Sequence, residues 1–141
     1  EQEIAFFTYY DTLTDLPNRR LFIEQLETAI ARARHKNQSL TLMFIDLDHF
    51  KHINDTYGHA VGDALLCEAA ARIKDCLRDA DLIAVSKDKD DRVARFAGDE
   101  FTVMLTNIDN VDVLANIAQR IVAKFEKSFG NCHFPSPNFL V

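Results

Sequence analysis

Residues 93 to 105 read Val-Ala-Arg-Phe-Ala-Gly-Asp-Glu-Phe-Thr-Val-Met-Leu, a polar turn between two apolar segments. The apolar segments, Val93 to Phe96 and Phe101 to Leu105, predict the two strands of a β-hairpin. Ala97, Gly98, Asp99 and Glu100 lie between these segments and are predicted to form the turn. The stretch therefore predicts a hairpin that carries acidic side chains at its tip.

A second apolar run also ends in an acid. Leu40 to Ile45 is short and nearly continuously apolar, which is typical of a buried central strand, and Asp46 follows it directly. A carboxylate at the end of a buried strand is costly unless something binds it. We therefore expect two separate elements to present carboxylates to one place.

The rest of the chain predicts helices around this sheet. Apolar residues at helical spacing indicate four helices, in the ranges Asn18 to His35, Phe50 to Asp55 and Leu65 to Leu77, and a last one from Val111 onward that either Asp109 or Asn110 can cap. Residues 1–10 are interpreted as an N-terminal helical linker, and residues 11–141 as one domain. The order helix, strand, helix, helix, hairpin, helix predicts an α+β fold with a mostly antiparallel sheet flanked by helices.

The composition narrows the class of protein. A chain of 141 residues with 48% hydrophobic content is long enough to bury a core. Its net charge of −6, without a long basic run, argues against nucleic-acid binding. Three cysteines without metal-ligand spacing fit a reducing compartment, and no run approaches membrane-spanning length. We expect a cytoplasmic protein without direct membrane contact, or the cytoplasmic part of a membrane-anchored parent.

The acids suit a metal site for a nucleotide. Asp46 and Asp99 offer hard oxygen ligands from two rigid elements, and Mg²⁺ usually takes one or two carboxylates and leaves its other positions to water and phosphate. The backbone carbonyl of Leu47 is a candidate for a further ligand. Lys51 is a candidate phosphate contact, and Gly98 allows the backbone amides of the turn to approach a phosphate closely.

Asn54 and Asp63 are candidates for reading a base. An aspartate accepts hydrogen bonds from the N1 and exocyclic amine donors of guanine, and adenine offers no such pair. Taken singly, Asn54 is more typical of a turn and Asp63 of a helix start. Asp48 is interpreted as a solvated or helix-capping acid, because Asp46 already occupies the strand end. The joint order and spacing of these residues, and not any one of them alone, is what specifically indicates a nucleotide site.

The whole ordered set resembles the GGDEF family of diguanylate cyclases. It comprises Asp46-Leu47-Asp48-x-Phe50-Lys51, x-Ile53-Asn54-Asp55, Gly58-His59, Gly62-Asp63, Ala97-Gly98-Asp99-Glu100-Phe101 and, upstream, Asp11-x-Leu13-Thr14-x-Leu16-Pro17-Asn18-Arg19-Arg20. The resemblance implies a ferredoxin-like fold related to class III nucleotidyl cyclases and polymerase palm domains. It also implies a bacterial signalling enzyme that condenses two GTP into cyclic di-GMP and releases pyrophosphate.

The resemblance implies a role for each candidate residue: two Mg²⁺ ions, or Mn²⁺, at Asp46, Leu47 and Asp99, catalysis at Asp99 and Glu100, and GTP binding at Lys51, Asn54, Asp63 and Gly98. Each domain would bind one GTP, so that product forms only where two domains face each other. The expected functional unit is therefore a homodimer. The parent protein is expected to carry attached sensor or phosphodiesterase domains.

Two departures from the family pattern lie near the signature. Ala97 replaces the first glycine, a change that is mild at negative φ and damaging at positive φ. The inhibitory Arg-x-x-Asp of the family would begin at Asp88, an acid that repels phosphate. Arg78 to Asp81 has the required residues, but an apparent insertion, Leu82 to Asp90, separates it from the hairpin. We predict no product inhibition through this site.

A third departure concerns the end of the chain. The further strand and the last helix with basic residues that the family carries do not follow Val141, and the domain is therefore interpreted as C-terminally truncated. The main alternative function is a degenerate, non-catalytic GTP-binding module that controls an attached domain such as a cyclic di-GMP phosphodiesterase. A more distant alternative is a cyclase that makes another cyclic nucleotide.

Overall fold

A computed structural model describes residues 8–77 and 92–126. In chain order its helices and strands are α1 (Arg19–Lys36), β1 (Leu40–Asp46), α2 (Phe50–Tyr57), α3 (His59–Leu77), β2 (Arg92–Ala97), β3 (Glu100–Thr106) and α4 (Val111–Glu126). The predicted order of helices, strand and hairpin is confirmed. The apparent insertion at residues 82–90, the Arg-x-x-Asp positions and the C-terminal end of the chain lie outside the described residues.

The described strands form one antiparallel sheet in the order β1-β3-β2. β3 lies in the middle, and its residues from Phe101 to Thr106 are all buried. The sequence predicted that Leu40 to Ile45 would be a buried central strand, but β1 is an edge strand of the described sheet, and Phe44 is 70% exposed. The reason is that an apolar run indicates burial without specifying strand order, which depends on long-range pairing.

Helices cover the two faces of the sheet, because successive strand residues point to opposite sides. On one face, Phe101, Val103 and Leu105 belong to the main core together with buried residues of α3 and α4. On the other face, Met104 packs with Phe22 and other residues of α1. This arrangement confirms the predicted α+β class. Within the described residues, none of the helices has the length and apolar character needed to cross a membrane.

Local capping explains where the helices begin and end. Asn18 caps α1 by accepting a hydrogen bond from the Leu21 amide at 3.0 Å. Of the two predicted caps for the last helix, Asp109 and Asn110, it is Asn110 that accepts from the Asp112 amide, at 2.9 Å. Gly58, with φ of 90°, separates α2 from α3. The N-cap position of α2 is occupied by His49, so Asp48 is not the N-cap residue.

Candidate active site

The end of β1 and the hairpin turn meet at one edge of the sheet. Asp46 is paired in register with Glu100, and Asp99 immediately precedes Glu100. The backbone amide of Leu47 donates to the carbonyl oxygen of Asp99 at 3.1 Å. The two elements predicted to present carboxylates to one place are therefore adjacent and joined by a hydrogen bond.

The charges at this edge repel one another. Desolvation raises the pKa of Asp46 above its ordinary value of 3.8, and the charge of Asp99, a hydrogen bond with Asp99, and the charges of Glu100 and Asp48 raise it further. The carboxyl groups of Asp46 and Asp99 are thus close enough to influence each other's protonation. A divalent cation between them would relieve this repulsion.

The donor set fits a cation for which the protein supplies only some of the ligands. Among the described residues, no group of three or more His, Cys, Asp or Glu side chains is arranged to hold a metal ion. Two converging carboxylates and a neighbouring backbone carbonyl suit Mg²⁺, because water and substrate phosphates complete its octahedron. Leu47 is well placed to keep such a carbonyl rigid, since its side chain is 2% exposed and belongs to the main core.

The two candidate base-reading residues lie at the junction of α2 and α3. The side chain of Asn54 packs directly against Gly62, which precedes Asp63 in the first turns of α3. A Cβ atom added to Gly62 would overlap Oδ1 of Asn54 and would lie 2.9 Å from its Cγ. Asn54 is half-buried, whereas Asp63 and Lys51 are exposed.

Sequence reasoning assigned no role to Gly62, although a glycine inside a helical pattern is itself a signal. Such a glycine costs helix stability relative to alanine and therefore indicates a packing reason. Here that reason is the space that Asn54 needs, since Gly62 is buried against it.

The backbone of the signature is free of left-handed strain. Within the described residues, positive φ occurs at Gly58 and at four other positions, Asp15, Asn37, His49 and Asn107, and neither Ala97 nor Gly98 is among them. Ala97 is the last residue of β2 and pairs with Glu100. The replacement of the first signature glycine therefore falls in the mild case. A Cβ built on Gly98 meets no heavy atom within 4 Å, so the space beside its backbone is open.

Beside this turn lies an open cavity of about 620 Å³. The start of α1, including Arg19 and Arg20, forms one side, and Ala97 and Gly98 form part of the other. The guanidinium carbon of Arg19 lies 4.9 Å from the centre of the Phe96 ring, a cation–π geometry. Sequence reasoning did not find this cavity, because it depends on how the chain before α1 packs against the hairpin.

The fold and the site agree with comparisons to known proteins. Residues 8–134 match the family model "Diguanylate cyclase, GGDEF domain". The chain therefore belongs to the GGDEF domain family. Diguanylate cyclase TpbB of Pseudomonas aeruginosa is 39% identical over 123 residues, which are 87% of this chain and 26% of that protein. The cyclic di-GMP phosphodiesterase NbdA of the same species is 42% identical over 120 residues, 84% of this chain and 14% of NbdA.

A solved structure of the GGDEF domain of Pseudomonas aeruginosa TpbB superposes with a TM-score of 0.72 at 39% sequence identity. The match covers 84% of this chain and 63% of that chain. It confirms the predicted fold, which is related to nucleotidyl cyclases and polymerase palm domains. This chain spans about a quarter of TpbB and a smaller part of NbdA. The activities of those whole proteins are therefore proposals for this chain.

Proposed function

We propose that this chain is a diguanylate cyclase domain that condenses two GTP into cyclic di-GMP and releases pyrophosphate. The observation that carries the proposal is the convergence of Asp46 and Asp99 where the end of β1 meets the hairpin turn, and where desolvation and neighbouring acids raise the pKa of Asp46. The relative TpbB, which is named a diguanylate cyclase, matches over 87% of this chain.

In this proposal the acidic edge of the sheet binds the metal ions. The carboxylates of Asp46 and Asp99 and the carbonyl of Leu47 hold two Mg²⁺ ions, which Mn²⁺ could replace. When bound, the ions would activate the ribose 3′ hydroxyl and stabilise charge on the α-phosphate. Asp99 is the proposed proton acceptor, and Glu100, which is paired with Asp46, assists at the metal site.

The junction of α2 and α3 reads guanine in the same proposal. Asp63 accepts from the N1 and amine donors, and Asn54, held against Gly62, supplies its amide. Lys51 is exposed in the first turn of α2 and meets phosphate as a point charge. The open space beside Gly98 leaves room for a phosphate to approach the backbone.

Since each domain would hold one GTP, two domains must face each other for both new phosphodiester bonds to form. The proposed functional unit is therefore a homodimer in a cytoplasmic bacterial signalling protein. Attached domains are part of the proposal, because relatives such as the bifunctional diguanylate cyclase/phosphodiesterase MucR are much longer than the matching segment, which is 17% of MucR.

The similarity to NbdA favours a second candidate, a non-catalytic GTP-binding module that regulates an attached phosphodiesterase. NbdA is named a cyclic di-GMP phosphodiesterase and is 42% identical over 120 residues. Against this candidate, Ala97 is the last residue of β2 and has no positive φ, so it does not strain the turn.

The test is the formation of cyclic di-GMP from GTP and Mg²⁺ by the full-length parent protein, with ATP as competing substrate and Asp99→Ala as the inactive control. Product from wild type but not from Asp99→Ala supports the cyclase. GTP binding by folded wild-type protein without any product supports the regulatory module. Equal turnover of ATP would contradict the proposed guanine-reading role of Asn54 and Asp63.

A further inference from the structure

Arg95 lies outside the predicted site but contacts the turn that carries Asp99. Its Nε atom donates to the carbonyl oxygen of Gly98 at 3.0 Å. Its Nη1 atom donates to both carboxylate oxygens of Asp11, at 3.0 and 3.1 Å. Both side chains are largely buried, with 17% of Arg95 and 20% of Asp11 exposed. One guanidinium group therefore joins the hairpin turn to a residue 84 positions earlier in the chain.

Asp11 is itself firmly held. Its carboxylate accepts hydrogen bonds from the amide and the hydroxyl of Thr14, at 2.8 and 2.7 Å. Its amide donates to the carbonyl of Leu16 at 2.7 Å, and the Leu16 side chain is 1% exposed in the main core. The amide of Arg95 also donates to the carbonyl of Pro17 at 3.1 Å. The segment from Asp11 to Pro17 is thus a fixed anchor for Arg95.

At Gly98 the turn is held by a hydrogen bond, and there is little packing around it. Gly98 is exposed, and a Cβ built on it meets no atom within 4 Å. The register of β2 shifts between Arg95 and Ala97, which interrupts the ladder just before the turn. Arg95 donates to the carbonyl of Gly98, and the Leu47 amide donates to the carbonyl of Asp99.

We propose that Arg95 is a positioning residue: by bridging Asp11 to the carbonyl of Gly98, it fixes the peptide that precedes Asp99 and so aims the Asp99 carboxylate at the metal site. The proposal deepens the proposed function and rests on it, because it takes Asp99 as a metal ligand. Asp11 acts only through Arg95, and Arg95 acts only through the turn. Groups that orient metal ligands in this way typically change metal affinity or activity by about 10–100-fold when removed.

The first test is structural and needs no metal or substrate. The Leu47 amide, which donates to the Asp99 carbonyl, reports on the turn through its hydrogen-exchange rate. In metal-free Asp11→Asn and Arg95→Gln proteins, we expect this amide to exchange at least about 10-fold faster than in wild type, while the amide of Val103 in the central strand changes less. Unchanged exchange at Leu47, or an equal increase at Val103, would overturn the proposal.

The matched control is Glu68→Gln. Glu68 forms an ion pair with Arg72 at 3.1 Å within α3. This variant also removes one carboxylate from an arginine pair, and it should leave exchange at Leu47 and turnover unchanged. A change in both readouts equal to that of Asp11→Asn would show a general effect of lost ion pairs and would also overturn the proposal.

The second test separates positioning from direct substrate contact. With wild type turning over GTP, Asp11→Asn and Arg95→Gln should each lower kcat about 10–100-fold, with KM for GTP within about 3-fold. The double variant should be no worse than the poorer single variant, because both residues serve one contact. Arg95→Lys, which keeps the charge without the planar fork, should recover only part of kcat. A raised KM confined to the Arg95 variants would indicate phosphate binding instead.

The two failures are distinguishable. A folded wild-type protein that makes no cyclic di-GMP contradicts the proposed function, and the exchange of the Leu47 amide then still decides whether Asp11 and Arg95 hold the turn. A fully active Asp11→Asn protein contradicts the positioning role and leaves the proposed function standing.

Discussion

Asp11 and Asp46 are both aspartates next to the hairpin, but their surroundings are opposite. Burial by itself raises the pKa of Asp11, yet hydrogen bonds from Thr14 and the hydrogen bond and charge of Arg95 outweigh it and lower that pKa. Around Asp46, desolvation and the charges of three nearby acids act together to raise the pKa. The fold thus supplies partners for the Asp11 carboxylate and gathers further acids around Asp46. This difference separates a carboxylate that stabilises the structure from one available to a ligand.

The largest expected effect concerns turnover. Asp46→Asn and Asp99→Ala should each lower the rate of cyclic di-GMP formation by at least about 10²–10³-fold, because each removes a charge that the reacting phosphate and its metals require. Product formation from saturating GTP and Mg²⁺ measures this. Asp112→Asn, which changes an exposed acid in the first turn of α4, is the control and should stay close to wild type. An active Asp46→Asn protein would remove the basis for calling Asp46 a ligand-binding acid.

Asn54 adds a third kind of polar group to the comparison, one positioned by steric fit. Gly62→Ala should displace its side chain, because the new Cβ would overlap Oδ1. We expect KM for GTP to rise about 10–100-fold, as for overpacking that costs about 1–3 kcal/mol, with a smaller effect on kcat. Asp63→Ala should reduce the preference for GTP over ATP, because it removes the proposed acceptor for the guanine donors.

The control for this variant is Ala64→Ser, a small addition at an exposed position of the same helix. It should leave KM for GTP unchanged. If Gly62→Ala bound GTP normally, the junction of α2 and α3 would not be the base-reading site, and Asn54 would have an ordinary packing role.

The next effect is on stability and should differ in sign between the two acids. In metal-free protein, Asp11→Asn should lower the free energy of unfolding by about 1–3 kcal/mol, because it weakens a charge-assisted hydrogen bond network. Asp46→Asn should raise it by up to about 0.5 kcal/mol, a small gain because Asp46 is exposed and its repulsion is screened.

Urea unfolding in the presence of a chelator measures both values, and equal m-values show that the unfolded states are comparable. A loss of stability in Asp46→Asn as large as that in Asp11→Asn would contradict the proposed difference between the two acids. It would place Asp46 among the structural acids and would weaken the proposed metal site.

The sequence predicted the parts of this molecule that depend on local pattern. The hairpin from Val93 to Leu105 and the capping of α4 by Asn110 follow from residues close together in the chain, and both are confirmed. The adjacency of Asp46 and Asp99 was predicted because Asp46 directly follows an apolar run and Asp99 lies in the polar turn between two apolar segments. The bridge from Asp11 to Arg95 was missed, since it joins residues 84 positions apart and the motif that begins at Asp11 does not indicate which distant residue its carboxylate contacts.

The edge position of β1 in the described sheet was also not predictable from its own residues. The run from Leu40 to Ile45 packs residues against both helical layers, so its composition resembles that of a central strand. Which strand takes the middle is decided by pairing with β3, and the residues of β3 lie more than 50 positions after their partners in β1.

The smallest expected effect is a difference in pH dependence between the two acids. The pKa of Asp11 is lowered in the folded state, so its stabilising contribution is present above the ordinary value of 3.8 and is lost as pH falls through the lowered value. The pKa of Asp46 is raised, so its repulsion destabilises the fold at neutral pH and is relieved as pH falls toward its ordinary value from above. The two contributions therefore change in separate pH windows.

Urea unfolding of wild type and the two asparagine variants between about pH 7 and pH 3 resolves these windows. The stability difference between wild type and Asp46→Asn should shrink while pH is still above 3.8, where Asp46 takes up its proton. The difference between wild type and Asp11→Asn should persist to that value and shrink only below it. If both stability differences vanished over the same pH range, the surroundings of the two carboxyl groups would be electrostatically alike. The raised pKa would then no longer identify Asp46 as the acid that is available to bind a cation.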